Sequence, residues 1–401
     1  MKKLFIIFLS IVLFLPLYAQ DDYMPKKKTG FARQHFEFGF DVGAMFANNL
    51  IGRDDIFTNE IVIDMNDIEE NLSDNGAGLY SGFYGDFFLT IKNIRITGGK
   101  MNFGVSSQAD GGFRGNLPKD LFTLMAQGNR NQDVFDGMVS FWGAAYADTG
   151  FGFSLEFGKL RVGARSALFT PLVFIPKSGI NYRLDTSDGI ILTTSGDISV
   201  YSPFMENGEV RHGFDISVYG SYSLFSFLDV GGSLTHIPIV PPNLSYRMRL
   251  TMDEKTLGAS GQDLINGEGL GDQDTDIDFT EEYDYSSIRV FRPIRFDTYA
   301  RLKPFSSEIL VFTPNIGFTF DVSHSESYFN AGLELRLNFA NVFMPYMATG
   351  RDEGLWIHRF GFAFNLRVFE LDLETSFLSQ DFKDSFRKKG FGFGLGIRFG
   401  W

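Results

Sequence analysis

The stretch Gly390-Phe-Gly-Phe-Gly-Leu-Gly-Ile-Arg-Phe-Gly-Trp401 decides the fold. Side chains of an extended strand point alternately to its two faces. Phe391, Phe393, Leu395, Ile397, Phe399 and Trp401 therefore share one face; Gly390, Gly392, Gly394, Gly396, Arg398 and Gly400 share the other. A large apolar face opposite a small or polar one, repeated from strand to strand, is the pattern of a transmembrane β-barrel, apolar towards lipid and polar towards the lumen. The alternation recurs upstream. In 35–46, Phe36, Phe38, Phe40, Val42, Ala44 and Phe46 fall on the lipid side, and Glu37, Gly39, Asp41 and Gly43 on the lumen side. Cost sets this phase: a basic residue at the bilayer midplane costs roughly 2–4 kcal/mol and an acid somewhat less.

Residues 1–20 read as a secretory signal. Lys2 and Lys3 precede an apolar run from Leu4 to Leu17, with Ala19 offering a small residue for cleavage. The run is shorter than the roughly 20 residues of a membrane helix; an uncleaved anchor is the alternative. No Cys follows it, which excludes a lipoprotein. Residues 21–34 form a short periplasmic tail, and 35–401 form the barrel. The mature chain holds no stretch of about 18 apolar residues, so helical spans are out. Phe (46) and Gly (44) dominate the chain, yet the mean hydropathy is -0.04, because every second strand residue is small or polar. With no Cys in an oxidising compartment, a closed ring of hydrogen-bonded strands must supply the constraint that disulfides would give. A net charge of -13 argues against nucleic acid as a partner.

Short periplasmic turns and longer outer loops parse the chain, backwards from Trp401, into strands 390–401, 371–378, 356–368, 342–349, 328–340, 309–322, 287–303, 228–252, 210–222, 160–183, 136–158, 93–106, 80–91 and 35–46. The expectation is an all-β, transmembrane, antiparallel up-and-down barrel of about 14 strands (range 12–16), with both termini on the periplasmic side and short helical segments in its loops. The long loops are 47–79, 107–135, 184–209 and 253–286. Strands 160–183 and 228–252 are interrupted by prolines, which lack a ladder donor and mark a bulge or the point where the chain leaves the membrane. Ile61, Met65, Ile68 and Leu72 repeat at helical spacing, as do Leu121, Phe122, Leu124 and Met125. Loops this apolar need cover, either inside the mouth as a plug or against the outer rim.

The search for chemistry finds little. The five His are scattered without metal spacing, and no HExxH, GxSxG or P-loop occurs. Asp272, Asp274, Asp276 and Asp278 alternate, but a calcium loop fails at Ile277 and Tyr283. Asp253–Asp284 carries eleven acids against Lys255, the composition of a solvated surface loop, with weak divalent-ion binding among outer-surface lipids as the alternative. No catalytic, cofactor or metal residues are assigned, and no enzyme activity is expected. The lumen is the candidate site. Its lining residues are Arg247, Arg249, Arg295, Asp297, Arg301, Glu334 and Arg336, with Arg359, Arg367 and Arg398 beyond them. Mixed signs on neighbouring strands read in two ways: salt bridges that rigidify the barrel, or a polar passage for solutes.

The strand count, the signal, the helical loop segments and the proline-interrupted strands resemble the fatty-acid and hydrocarbon channel family of bacterial outer membranes and its uncharacterised relatives. Leu117-Pro-Lys-Asp-Leu-Phe122 with Gln127-Gly-Asn129, followed by a strand and Leu160-Arg-Val-Gly163, is similar to segments of those relatives. The resemblance implies passive uptake of small or hydrophobic molecules through a barrel plugged by an N-terminal hatch. Only Asp21 to Gln34 precedes the first strand, so any plug must come from 47–79 or 107–135. The rival is a surface-exposed adhesin or structural barrel, for which the acidic loop speaks. The implied partners are the bilayer with its outer-membrane lipids and a hydrophobic small-molecule cargo. Trp401 also resembles the terminal aromatic of bacterial outer-membrane proteins, which points to the barrel-assembly machinery.

Overall fold

The computed structural model describes residues 35–49, 70, 72, 76–127, 134–187, 189–204, 211–260, 280–305, 308–386 and 389–401. The wall is built from β1 (Phe36–Asn48), β2 (Ala77–Ile96), β3 (Gly99–Leu117), β4 (Val134–Phe157) and β5 (Leu160–Asp185), then β7 (Gly213–Phe225) and β8 (Leu228–Val240). It continues through β13 (Ile294–Leu302), β14 (Leu310–Asp321), β15 (Glu326–Leu337), β16 (Phe343–Asp352), β17 (Leu355–Asn365), β18 (Phe369–Ser379) and β19 (Gly390–Gly400). Each pairs antiparallel with the next in this order, with β5 passing to β7 and β8 to β13. β19 closes on β1 from Glu37↔Gly400 to Ala47↔Gly390, so the ring has 14 strands. Closure leaves the ring no free edge, which hydrocarbon demands.

The side chains follow the alternation. Phe87, Phe151, Phe318 and Phe393 stand exposed on the outer surface, while Glu37, Asp41, Asp148, Asp297 and Arg398 are buried inside. Exposed aromatics in such number would make a water-soluble protein aggregate; around a closed ring they form a lipid-facing belt. Two turns at the end that carries the chain termini, β2–β3 and β4–β5, hold only two residues each. Gly98 (φ 80°) and Gly158 (φ 59°) supply the left-handed conformation that two-residue hairpin turns require. There the chain ends knit together: Trp401 N donates to Phe36 O at 3.0 Å, and the Trp401 and Phe36 rings lie 4.6 Å apart.

The far end departs from the sequence parse in four places. First, 184–209 is not all loop: it contains β6 (Gly189–Tyr201). Second, 228–252 is not one strand. The wall strand ends at Val240, ahead of Pro241-Pro242, and the chain resumes as β9 (Asn243–Leu244) and β10 (Arg247–Ser260). Third, β11 (Thr280–Asp284) and β12 (Ile288–Arg289) occupy the end of the expected acidic loop and the start of strand 287–303, whose wall portion begins only at Ile294. Fourth, β3 runs on to Leu117, and α1 (Lys119–Gln127) shortens loop 107–135 further.

β6, β10 and β11 form an outer sheet on β5. β5 is 26 residues long, against the 9–11 or so that a tilted strand needs to cross a bilayer, so its far half stands clear of the membrane. It changes partner midway. Leu160↔Tyr222 to Phe169↔Gly213 pairs it with β7, and Gly179↔Asp197 to Asp185↔Ile191 pairs it with β6. Pro171 and Pro176 lie between the two ladders, where a missing N–H breaks no bond. Pro241-Pro242 plays the matching part at the end of β8.

α1 packs Phe122 against Leu72 and Ala77 in a small buried cluster, and Lys119 Nζ donates to Leu72 O at 3.1 Å. Residues 50–69, which carry the other helical periodicity, lie outside the described residues, as do 1–34.

Candidate functional site: the lumen and its strap

Inward positions of β8 and β13–β17 line a cavity of ≈ 190 Å³. Arg295, Asp297, Arg301, Glu334 and Arg336 all reach it, with Arg359, Asn315 and Asp352. Their charges pair locally. Arg295 Nε donates to Asp297 Oδ2 at 2.6 Å and its Nη1 lies 3.2 Å from Asp352. Arg336 meets Glu334 at 2.6 Å, Arg301 meets Glu308, and Arg359 lies 3.9 Å from Glu374. These side chains converge because β13, β14 and β15 are in register, Tyr299↔Asn315 and Asn315↔Gly332. Short Gly332 and Gly350 leave the space that Arg and Glu from neighbouring rows border.

Arg247 and Arg249 lie elsewhere. Both sit on β10 in the outer sheet, where Arg247 pairs with Asp284 and Arg249 with Asp197 at 2.5 Å. The phase argument that put them inside assumed an unbroken wall strand through Pro241-Pro242. Outside the membrane-spanning strands, the Arg247 guanidinium holds the Asp284 carboxyl below its ordinary range.

Opposite the cavity, a strap enters the lumen. Residues 286–293 join β11 to β13 across the inner faces of β3, β4, β5 and β7. Its backbone is tied at each step. β12 pairs with β9 through Ile288↔Leu244, Val290 N donates to Pro242 O at 3.1 Å, and Phe291 exchanges hydrogen bonds with Ser323 Oγ at 2.8 and 3.1 Å. Tyr146 Oη donates to Phe291 O at 3.2 Å, and His236 Nδ1 donates to Pro293 O at 3.1 Å. Val290 is fully buried among Ala144, Tyr146, Phe169, Phe174, Tyr201 and Leu244.

Arg292 pins the strap. Its Nη1 meets Asp148 Oδ2 at 2.5 Å and Asp215 Oδ2 at 3.5 Å, and its Nη2 meets Asp110 Oδ1 at 3.0 Å. Arg165, lying over Gly150, pairs with the other oxygen of Asp148 and donates to Ser106 Oγ at 3.1 Å. The side chains of Arg292, Asp148, Arg165 and Asp215 are at most 2 % exposed. Buried charges survive only when paired, so this cluster is the most constrained polar feature of the lumen. Sequence reasoning missed it. Asp148, Arg165 and Asp215 occupy inward phases, but Arg292 belongs to an irregular segment that the parse placed in a strand. Pro293, which has no ladder donor, was the available warning.

The outer β14–β15 turn also reaches across the mouth: His324 Nε2 donates to Ile175 O at 3.1 Å and its ring lies 4.9 Å from that of Phe174. A second pocket of ≈ 110 Å³ lies between this turn and β2–β4. In it the Arg114 guanidinium stacks between Tyr80 (5.0 Å) and Tyr328 (4.5 Å) and pairs with Glu353 at 3.3 Å. Among the described residues, 286–293 and 322–325 reach into the mouth; most of 47–79, one of the two segments expected to plug it, lies outside the described residues.

On the outer surface, α2 (Phe382–Phe386) is latched to the wall. His358 Nε2 lies 2.8 Å from Ser385 Oγ, and its Nδ1 lies 2.8 Å from Thr349 Oγ1. The hydroxyl donates to Phe382 O and is buried, and the imidazole meets a hydroxyl rather than a carboxylate, so the contact holds a helix down. Among the described residues no group of three or more His, Cys, Asp or Glu is placed to hold a metal ion.

No family model and no curated protein sequence matches the chain. Solved structures do. A mutant of the monoaromatic hydrocarbon channel TodX is 11% identical, with 93% of this chain and 92% of that one covered, at a TM-score of 0.51. The toluene transporter TodX of Pseudomonas putida is 10% identical over 96% and 93% at 0.49, and a FadL homologue of Pseudomonas aeruginosa is 9% identical over 92% and 91% at 0.47. At these identities the likeness is one of fold, and the first of the three carries it.

Proposed function

We propose that this protein is a passive channel of the bacterial outer membrane for small solutes. One observation carries the reading: a closed 14-strand wall, greasy outside, encloses a charged lumen with a cavity of ≈ 190 Å³ that Arg295, Asp297, Arg301, Glu334 and Arg336 border. An apolar cavity of about 150 Å³ holds benzene, so the space suits a molecule of that size. The cargo of the hydrocarbon channels that share the fold is one candidate class. The charged lining favours an amphipathic member of it, with a polar group for the guanidiniums and carboxylates and an apolar body. Export through the signal at 1–20, the 21–34 tail in the periplasm, insertion by the barrel-assembly machinery through the C-terminal strand and contact with outer-membrane lipids belong to the same proposal. The exposed Phe and Leu belt supports the contact with lipid.

The test is swelling of proteoliposomes in sugars, amino acids and short fatty acids, with planar-bilayer current for ions. Solute entry that grows with protein dose supports the channel. Absence of any entry, including after deletion of 286–292 from a barrel shown to be folded, overturns it and leaves a structural or adhesive barrel.

A further inference from the structure

We propose that the pocket holding the Arg292 guanidinium is a binding site for a guanidinium- or amine-bearing solute, and that Arg292 is its built-in occupant. The site deepens the channel reading, on which the part about passage rests; binding does not depend on it. Three observations support the assignment.

The first is the charge balance. Asp110, Asp148 and Asp215 face Arg165 and Arg292. Withdrawal of Arg292 leaves three carboxylates against one guanidinium, with Asp148 and Asp215 out of reach of water, and a bare negative cluster of that kind is strongly disfavoured. A cationic solute that enters as the strap leaves restores the balance that protonation of the carboxylates would otherwise have to supply.

The second is the shape of the recognition. The carboxylates come from three wall strands, β3, β4 and β7, and meet the planar fork from its open sides, while Tyr146 and Phe169 offer ring faces at 5.9 and 5.8 Å from its carbon. Carboxylate fork plus aromatic wall is how a guanidinium or a primary ammonium is read. A metal ion would gain nothing from the rings. Asp215 Oδ1 is buried without a hydrogen-bond partner among the described residues, so the site has acceptor capacity that Arg292 leaves unused.

The third is mechanical. The carboxylates belong to the wall, but Arg292 does not: the strap contributes no rung to the ring, and its only ladder is the two-residue β9–β12 pair. It can withdraw without opening a ladder hydrogen bond of the ring, giving up those to Pro242, Ser323, Tyr146 and His236. A cationic solute and the strap therefore compete for one seat, and a solute that wins it displaces the obstruction from the mouth.

The experiment uses the full chain refolded into phosphatidylcholine vesicles, as wild type and as Arg292→Ala. Both are titrated with methylguanidinium chloride against sodium chloride and tetramethylammonium chloride at equal ionic strength. Methylguanidinium is expected to raise the unfolding temperature of Arg292→Ala towards that of wild type. The two control cations, which donate no hydrogen bonds, do not, and Asp148→Asn with Asp215→Asn abolishes the response. A response to methylguanidinium no larger than to sodium overturns the proposal. Should Arg292→Ala not fold, Arg292→Gln takes its place. Should neither fold, hydrogen exchange on wild type decides: the Val290 and Phe291 amides must exchange faster with methylguanidinium while wall amides stay protected, and unchanged exchange overturns the proposal. Solute influx separates the two readings. Arg292→Ala is expected to admit solute about tenfold faster than wild type, equivalent to about 1.4 kcal/mol in the closing equilibrium, and methylguanidinium to speed influx through wild type. Binding without influx in any variant sinks the channel and keeps the site; influx without binding does the opposite.

Discussion

Arg398→Met tests how the barrel closes on itself. Arg398 lies on the last strand, where first and last strands meet. Its Nη2 donates to Asp41 Oδ1 and Oδ2 at 3.0 and 2.9 Å, and its Nη1 to Glu370 Oε1 at 3.0 Å. The carboxylates come from β1 and β18, so one guanidinium ties three strands across the seam. Asp41 is 9% exposed and Glu370 not at all. Methionine fills much of the same volume and removes the charge. Breaking a buried pair by removing one partner costs about 3–5 kcal/mol, and here two carboxylates lose their partner. Asn365 Nδ2, 3.0 Å from Glu370, softens the loss on one side only. The expected destabilisation is therefore about 3–5 kcal/mol, read as a shift in urea unfolding in vesicles followed by fluorescence of Trp142, Trp356 and Trp401. Adding Asp41→Asn and Glu370→Gln should recover most of it, because a neutral network of the same shape is close to neutral in energy. If Arg398→Met falls within about 1 kcal/mol of wild type, or if the triple variant is no better than the single one, the view of the seam as a desolvated ion network is wrong.

Other outcomes follow from the same distinctions. Arg249→Ala, which breaks a pair with Asp197 whose side chains are 35% and 45% exposed, should leave the unfolding midpoint unchanged in the same assay. Phe393→Lys places a charge on the lipid belt and should destabilise the inserted barrel by roughly 2–4 kcal/mol if the position is near the midplane, whereas Thr313→Lys on the cavity wall should leave insertion intact; a gel-mobility folding assay in vesicles compares them. Asp284 titrates below its ordinary 3.8 because Arg247 binds its ionised form. The support it gives the β10–β11 pair is thus present above 3.8 and is lost as pH falls through the lower folded value. Hydrogen exchange at 280–284 should accelerate in that acid range and, at neutral pH, in high salt, while exchange in β19 stays slow.

Alternation along Gly390–Trp401 and Phe36–Phe46 was enough to place both strands and to say which face meets lipid. A side chain's face depends only on its own position along an extended chain, and lipid penalises the wrong phase within one strand. Tight glycine turns such as Gly158-Lys159 are equally local, so the count of 14 wall strands and the inward phase of Asp148, Arg165 and Asp215 were open to a reader of the chain. The cavity residues Arg295, Asp297, Arg301, Glu334 and Arg336 carried the same mark. That they border one space follows from register, which no single strand encodes.

What the tertiary structure alone decided is non-local. β6 pairs with β10 across more than forty residues, and the choice between a longer wall strand and an outer sheet turns on where Pro171, Pro176 and Pro241-Pro242 interrupt the ladder, a matter of which neighbour is at hand. Arg247 and Arg249 left the lumen for that reason. Arg292 entered it for a complementary one: its segment has no period to read, and its position is set by Asp110, Asp148 and Asp215 on three separate strands, whose shared need for a buried cation exists only once the ring has closed.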